Sequence, residues 1–400
     1  MDYSGRIITK TAVTPSQTSA PGVWNLQDQI LAQQSNTWPV AGVYNPISRS
    51  LRFNAADSAY LNRTPSTASN RRTFTWSGWF KRCDPTTTNV LFSAYVDGNN
   101  FFAIRLRAQA DDGLLEILNY SAAYDLRLET SQVFRDVSAW YHLIVAVDTT
   151  QATAANRVKL YLNGSQITAL AVATYPSQNF DTDVNNTNAH YLGSLSTGSY
   201  HNGYLTEVNF IDGQALTPSS FGETNANTGV WQPKQYTGTY GTNGFYVNFS
   251  DNSATTATTL GKDSSGNGNN WTPNNFSVAA GAGNDSLVDT PTLYGSDTGA
   301  GGEVRGNYLT WNTASPPTST IAGTISNGAL DVIGNGVASW QSVRATQALP
   351  YGKWYFEFTI RGAVSGSAGY RCIGLIRSEE HTSELQSHHD LVCRLLLEKK

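Results

Sequence analysis

The chain has 400 residues, a formal net charge of −4 and only 14% charged residues, and it is rich in glycine, asparagine, serine and threonine. The small acidic excess argues against a nucleic-acid partner, and the composition predicts an all-β protein with many turns and little helix. No run of eighteen apolar residues occurs and the first ten residues lack the apolar core of a signal peptide, so we expect no membrane insertion and a protein that stays soluble where it is made.

The first predicted segment, residues 1–39, is too polar to bury a core of its own. Within it, residues 26–34 predict about two helical turns, with Asn25 as a candidate cap. We interpret the segment as an N-terminal arm or tether. A disordered N-terminus is the alternative.

Short strands are predicted from residue 50 onwards. Trp76 and Trp79 are three residues apart in the run FTWSGWFKR, so in a strand they face opposite ways. A second strand alternates apolar with other residues, which predicts a half-buried strand with a solvated basic outer face. Its inward residues are Phe102, Ile104 and Leu106, and its outward residues are Ala103, Arg105 and Arg107.

The strongest local signal is a hairpin at Asn163-Gly164. Asn-Gly takes the two positive φ angles of a type I′ turn with little strain. The preceding strand alternates Val158, Leu160 and Leu162 with polar residues, so we expect these three to point inward and Lys159 and Tyr161 to face water. Later in the chain we expect Val208 and Phe210 to point inward as well.

The run from 139 to 222 carries a family resemblance through AWYH, KLYLNG and above all GYLTEVNFIDGQALTPSSFG. It resembles the laminin-G-like, concanavalin A-like jelly roll found in tail and fibre proteins of bacteriophages. The resemblance implies two antiparallel sheets packed face to face, and we assign this jelly roll to residues 40–224.

Residues 225–305 are rich in Gly, Asn, Ser and Thr, and we interpret them as a linker with short strands. Within it, Asp263, Ser265 and Asn267 mimic the first half of a calcium-binding EF-hand loop, but the twelfth position is Asn274 and not a bidentate Glu. The alternative is a Gly/Asn turn packed by Trp271.

Two further segments follow. Residues 306–376, with KWYFEF after a Pro-Tyr-Gly turn, resemble the opening strands of a SPRY domain and would form an incomplete second β-sandwich. Residues 377–400 resemble a translated sequencing adapter, because RSEEHTSELQ and LVCRLLLEKK are in-frame readings of adapter codons, and we exclude them from fold reasoning. Cys83, Cys372 and Cys393 lie too far apart in the sequence to support a disulfide framework or a zinc site.

Catalytic motifs are missing from the sequence. The E-x-D-x-x-E pattern of retaining glucanases in this superfamily does not occur, and Glu207 and Asp212 have an odd spacing that sends them to opposite strand faces. His142, beside Trp140 and Tyr141, is more typical of a packed histidine than of a general base. We therefore predict that the protein is not an enzyme, with a glycan-acting hydrolase as a minor alternative.

Rim loops are where sugar recognition is expected in such a fold, because loops on a rigid scaffold carry binding residues. The candidate glycan-binding residues form two groups: Tyr200, His201 and Asn202, and Asp97, Asn99 and Asn100. Asp181 and Asp183 supply hard oxygens that suit calcium, the one cofactor considered. For a single sugar site at one rim, Tyr200, His201, Asn202, Asp181 and Asp183 would have to lie within about 10–12 Å of one another, the span of a small ligand site.

The resemblance implies a phage virion protein, part of a tail fibre or adhesion device, assembled in the host cytoplasm. Its expected partners are cell-surface carbohydrate and other virion tail proteins, with a homotrimer as the oligomeric state considered. The alternative is a structural spacer or decoration domain without affinity for sugar.

Overall fold

The computed structural model of the chain describes residues 26–34, 47–224, 229–281, 283–291, 308–313, 323–334, 343–346 and 358–359. One helix, α1, spans Leu26–Gln34, where the sequence predicts it. The described strands, in chain order, are β1 Ser50–Phe53, β2 Tyr60–Arg63, β3 Thr73–Arg82, β4 Asn89–Asp97, β5 Asn100–Leu106, β6 Leu114–Ser121, β7 Tyr124–Val133, β8 Trp140–Asp148, β9 Val158–Leu162, β10 Ser165–Ile167, β11 Leu170–Thr174, β12 Ala189–Leu192, β13 Gly203–Asp212, β14 Gly222–Thr224, β15 Trp231–Pro233, β16 Phe245–Val247, β17 Thr272–Asn274, β18 Ser286–Leu287, β19 Gly323–Ser326 and β20 Asp331–Gly334.

Two eight-stranded antiparallel sheets form a jelly-roll sandwich, which confirms the predicted all-β fold class. The first sheet has the order β10-β9-β8-β3-β13-β1-β18, and β16 pairs with the half of β13 that β1 leaves open. The second sheet has the order β11-β7-β6-β5-β4-β12-β2-β17. Within the described ranges, none of the helices is long and apolar enough to span a bilayer.

The inner faces of the two sheets enclose one apolar core. Val158, Leu160, Val208 and Phe210 lie in it and Leu162 packs against it, so the predicted inward set is confirmed. Burying one such side chain stabilises the fold by about 1.5–3 kcal/mol relative to leaving it in water.

The outer face of the first sheet is also buried, which the alternation pattern does not reveal. Tyr161 was expected to face water, but it packs in a second cluster with Ile144 and Ile211 beneath Phe221 and Tyr240 from the following segment. A third cluster places the outward Trp79 beside Trp140 and Tyr204, under residues that include Ala329 and Ile325. A period of two therefore separates the two faces of a strand here, but it does not separate core from solvent.

The sandwich extends beyond the predicted boundary at residue 224. Strands β16, β17 and β18 pair with β13, β2 and β1, so the described residues from 229 to 291 complete both sheets and do not link two domains. Trp271 is fully buried in the main core, with its ring 4.8 Å from that of Phe245. Composition suggested a linker because the three strands are only two or three residues long and glycine-rich turns separate them.

Buried ion pairs and hydrogen bonds fasten the chain after residue 284 to the first sheet. Arg52 pairs with Asp285 at 2.9 Å, and Lys81 pairs with Asp289 at the same distance. The Tyr204 hydroxyl donates to the carbonyl of Gly328 at 2.6 Å. Of the predicted SPRY-like segment, the structure describes the hairpin β19–β20 and a few flanking residues. Its KWYFE run and the adapter-like residues 377–400 lie outside the described residues.

Hairpin geometry at Asn163-Gly164 agrees with the sequence, since φ is 47° and 84° at the two positions. A Cβ on Gly164 would lie 2.6 Å from the Trp231 ring. We therefore expect Gly164→Ala to lower the free energy of unfolding by about 1–3 kcal/mol, from left-handed strain and overpacking. The matched control is Gly98→Ala in the β4–β5 turn, where the nearest atom lies 4.0 Å away. Equal losses in denaturant unfolding of the two variants would contradict this explanation.

Candidate functional site

Four aromatic side chains from four adjacent strands form a row on the outer face of the second sheet. Tyr95, Phe101, Tyr120 and Tyr124 are successive cross-strand partners on β4, β5, β6 and β7. Their ring centroids are 6.4, 5.7 and 5.1 Å apart. We call this set the aromatic row. It spans about 14 Å, the width of three strand spacings.

The aromatic row retains exposed ring surface. Tyr124 is 42% exposed, and the other three rings are half-buried. Ala94 and Phe102, the sequence neighbours of Tyr95 and Phe101, lie in the main core, which places the aromatic row on the opposite, outer face. The outer face of the first sheet differs, because its apolar side chains are buried under later segments. Exposed apolar side chains gathered in one place on a soluble protein mark candidate interaction sites.

Beside the aromatic row, three arginines and two glutamates form a network that we call the arginine ladder: Arg105, Arg107, Arg127, Glu116 and Glu129. Glu116 accepts from Arg105 Nε at 2.6 Å and from Arg127 Nε at 2.9 Å. Glu129 accepts from Arg107 at 2.7 Å and from Arg127 at 2.6 Å. The predicted solvated basic face is therefore corrected, because two carboxylates lie among these arginines.

Burial and charge act in opposite directions on Glu116. The side chain is fully buried, which by itself raises its pKa, but Arg105 and Arg127 hold that pKa below its ordinary value. The arginine side chains keep 22–27% of their surface exposed. The ladder thus presents guanidinium groups to solvent above two carboxylates that are almost fully buried. It meets the aromatic row where the Arg127 guanidinium lies 4.6 Å from the ring centroid of Tyr124, a cation–π contact.

The predicted residues Asp97, Asn99 and Asn100 form the turn between β4 and β5, next to Tyr95 and Phe101. The Asp97 carboxylate accepts from the Asn99 backbone N–H at 2.8 Å and from the Asn100 amide at 2.9 Å. These bonds close the turn, so Asp97 has a structural role. The structure nonetheless places this predicted loop at one end of the aromatic row.

The predicted metal residues Asp181 and Asp183 do not converge on one point. Arg72 binds both oxygens of Asp181, at 2.7 and 3.1 Å. Asp183 instead accepts from the Asn119 amide at 3.2 Å, and burial raises its pKa. Within the described ranges, no three His, Cys, Asp or Glu side chains are grouped as a metal site. The pair does not fit calcium in this arrangement, because one carboxylate is neutralised by arginine and the other is directed elsewhere.

Tyr200, His201 and Asn202 lie at the opposite end of the sandwich from this pair. The Asn202 carbonyl accepts from Cys83 N at the end of β3, whereas Asp181 binds Arg72 just before β3 begins. The ten residues of β3 separate these points by about 30 Å. His201 is fully buried and burial lowers its pKa to about 3, so its ring is not available to a ligand. The five residues expected to form one rim site are therefore split between two ends.

Residues considered for catalysis are held in structural roles. His142 stacks on Trp79 at 4.7 Å, shares a hydrogen bond with Ser77 Oγ and accepts one from Trp231 Nε1, each at 2.9 Å. Burial lowers its pKa to about 3. The Asp212 carboxylate accepts from the backbone N–H of Asn70 and Asn243 and from the Asn185 amide.

The calcium-like loop is likewise held by protein groups. Both Asp263 carboxylate oxygens accept hydrogen bonds, among them those from the Tyr246 and Asn269 backbone N–H groups at 2.9 and 2.8 Å. With Trp271 in the core, these bonds support the Gly/Asn-turn interpretation. Among the cysteines, Cys83 is buried with a free thiol, and burial raises its pKa to about 12.

Sequence reasoning missed the aromatic row because its members are cross-strand neighbours and not sequence neighbours. Each ring follows or precedes a turn by a few residues, and such aromatics are common in β-proteins. The alternation that identified Phe102 as inward does place Phe101 outward. It does not show that Phe101 meets Tyr95 and Tyr120, since that depends on strand order and register.

Comparison with known families supports the domain type. Residues 54–220 match the family model Laminin_G_3, described as the concanavalin A-like lectin/glucanases superfamily. The two-sheet jelly roll is consistent with the concanavalin A-like fold of this family model. No curated protein sequence matches the chain significantly.

Several solved structures are similar to part of the chain at low scores. A heptameric SAP-like pentraxin from Limulus polyphemus is 16% identical over 43% of this chain and 79% of its own, with a TM-score of 0.32. A putative carbohydrate binding protein from Bacteroides ovatus is 14% identical over 60% of each chain, with a TM-score of 0.35. The CBM40 domain of a Ruminococcus gnavus IT-sialidase, bound to sialyllactose, is 16% identical over 42% of this chain and 89% of its own, with a TM-score of 0.28.

Proposed function

We propose that the sandwich is a non-catalytic glycan-binding module whose ligand lies across the aromatic row. The observation that carries the proposal is a line of four neighbouring aromatic rings with exposed surface on an outer sheet face. The lectin-type domain match over residues 54–220 supports the same function class.

Sugar chemistry fits this surface. One face of a pyranose ring presents C–H groups and packs on an aromatic ring, while its hydroxyl groups extend sideways and need polar partners. Tyr120 and Tyr124 supply rings, and their phenol groups donate and accept hydrogen bonds. Rings held on four adjacent strands are preorganised, so a chain of sugars loses its own freedom on binding but orders little of the protein.

The biological setting that we propose is a phage tail fibre or adhesion device that binds cell-surface carbohydrate. Its support is the resemblance of GYLTEVNFIDGQALTPSSFG to phage tail proteins, and a role beside other virion proteins, as a homotrimer, follows from the same resemblance. A SPRY-like domain after the sandwich belongs to this proposal.

The proposal predicts that Tyr120→Ala and Tyr124→Ala each weaken glycan binding about fivefold or more, since truncating an aromatic anchor that the ligand covers costs more than about 1 kcal/mol. The matched control is Tyr200→Ala, a half-buried tyrosine at the other end of the sandwich, which should leave the affinity unchanged. A glycan array identifies the ligand, and titration calorimetry measures the affinities. The full chain is used, because a fragment ending at residue 224 would lack β16, β17 and β18.

Repeating the array with EDTA tests the calcium expectation separately, and the poor fit of Asp181 and Asp183 predicts binding that EDTA does not abolish. Loss of binding in Tyr200→Ala, with Tyr120→Ala and Tyr124→Ala unaffected, would overturn the aromatic row as the site. Absence of any glycan ligand would favour the spacer alternative.

A further inference from the structure

We infer that the ligand of the aromatic row carries an acidic group, a carboxylate or a sulfate, and that the arginine ladder recognises it. This inference rests on the proposed function and names the chemical class of its ligand. It is carried by the charge, burial and position of the ladder relative to the aromatic row.

The ladder has one more positive than negative charge, with three arginines against two glutamates. The carboxylates are the buried part, since the side chains of Glu116 and Glu129 are 0% and 6% exposed. The arginine side chains are 22–27% exposed. A ligand approaching this face therefore meets guanidinium groups before it meets carboxylates.

The ladder arginines also keep hydrogen-bonding capacity. Each guanidinium has five N–H groups. Within the part of the chain that the structure describes, the Arg105 guanidinium donates only through Nε and that of Arg107 only through Nη1. Arg127 donates through Nε and Nη2. The guanidinium N–H groups outside these bonds can bind a planar carboxylate or a sulfate in the bidentate manner that arginine favours.

Two buried apolar residues separate the aromatic row from the ladder. Ala103 and Leu118 are cross-strand partners, both fully buried, and lie two residues along their strands from Phe101 and Tyr120. Continuing two residues further in the same direction leads to Arg105 and Glu116. Side chains two residues apart on one face are about 6.6 Å apart. Arg127 already contacts the Tyr124 ring, so a sugar on the aromatic row can place a ring substituent within reach of Arg127 or Arg105.

The surrounding charges fix the direction of the acidic group. Asp97 lies on the side of the aromatic row away from the ladder, because its partner Asn100 precedes Phe101 on β5 whereas Arg105 follows it. An anionic substituent would be repelled there and attracted at the ladder end. The ligand is therefore oriented, with its acidic group directed toward Arg105 and Arg127.

The test compares matched polymers on the full chain. The probes are polygalacturonic acid and its carboxyl-reduced form, and dextran sulfate and dextran, so that carboxylate and sulfate are separated. We expect at least one acidic polymer to bind about tenfold more tightly than its neutral counterpart, with the preference shrinking as salt is raised.

Arg105→Gln should remove the preference for the acidic polymer, because it leaves two arginines against two glutamates. Arg127 still pairs with Glu116 in that variant, so the buried carboxylate keeps a partner. The matched control is Arg135→Gln, an exposed arginine in the loop after β7, which should retain the preference.

Arg127→Lys is the second variant, since it keeps the charge but loses the planar fork and is expected to lower the preference. A thermal unfolding midpoint close to that of the wild type shows that each variant is folded. Equal binding of acidic and neutral polymers, or a full preference in folded Arg105→Gln and Arg127→Lys, overturns this inference alone. If no acidic or neutral polymer binds and the glycan array also yields no ligand, the proposed function is overturned together with it.

Discussion

Asp289→Ala should lower the free energy of unfolding by about 3–5 kcal/mol, the cost of breaking a buried ion pair by removing one partner. Asp289 accepts from Lys81 Nζ and from Trp140 Nε1, both at 2.9 Å. The Lys81 and Asp289 side chains are 0% and 6% exposed. The variant removes this carboxylate from the buried ammonium of Lys81, and chemical denaturation measures the loss.

The control is Asp181→Ala, which breaks an ion pair of similar length at 2.7 Å whose two side chains are 44% and 46% exposed. Solvent screens this pair, so its removal should leave the unfolding midpoint nearly unchanged. Similar losses in Asp289→Ala and Asp181→Ala would show that burial does not control the strength of these pairs. A loss below about 1 kcal/mol in Asp289→Ala would contradict the buried pair itself.

Acid should destabilise the protein between pH 6.5 and 5, because three histidines are buried in the neutral form: His142, His190 and His201. Burial lowers their pKa values to about 3, 4 and 3. In the unfolded chain each takes up a proton near pH 6.5, whereas in the folded protein it does not until the pH is far lower. Unfolding therefore binds protons in this window, and stability falls as the pH falls. Each histidine contributes about 1.5–2 kcal/mol over these 1.5 pH units, since it is half protonated in the unfolded chain at pH 6.5, and the three together contribute about 5 kcal/mol.

Denaturant unfolding at several pH values measures this dependence. Asp289, whose pKa burial raises, acts in the opposite direction, so a single-histidine comparison isolates the effect. His142→Gln should lose about 2 kcal/mol less than the wild type between pH 6.5 and 5, whatever its stability at neutral pH. A variant and wild type with parallel pH dependence would show that His142 is protonated in the folded protein.

The elements that sequence predicted well are those governed by local rules. Asn163-Gly164 needs only the preference of Asn-Gly for positive φ, and Trp76 and Trp79 need only strand alternation to face opposite ways. Both outcomes hold in the structure, with Trp76 in the main core and Trp79 in the third cluster. Local rules also gave the inward set around Leu160, because the alternation there is unbroken.

The features that sequence missed depend on contacts between distant segments. Tyr161 is buried because Phe221, Tyr240 and Tyr246 pack in the same cluster, and no property of β9 indicates this cover. Arg105 and Arg107 resembled a solubilising face because their partners Glu116 and Glu129 lie on other strands. The residues predicted to form one rim site do not come together, for the same reason. Asp181 and Tyr200 are nineteen positions apart in sequence but belong to loops at opposite ends of β3.

Oxidative footprinting with a bound glycan tests the central claim most directly, because it locates the ligand without any substitution. Hydroxyl radicals modify exposed tyrosines, and mass spectrometry compares the peptides that contain Tyr120 and Tyr124 with the peptide that contains Tyr200. We predict that a glycan selected on the array protects Tyr120 and Tyr124 in proportion to saturation and leaves Tyr200 unchanged. Protection of Tyr200, with Tyr120 and Tyr124 oxidised at the same rate with and without the glycan, would contradict the claim.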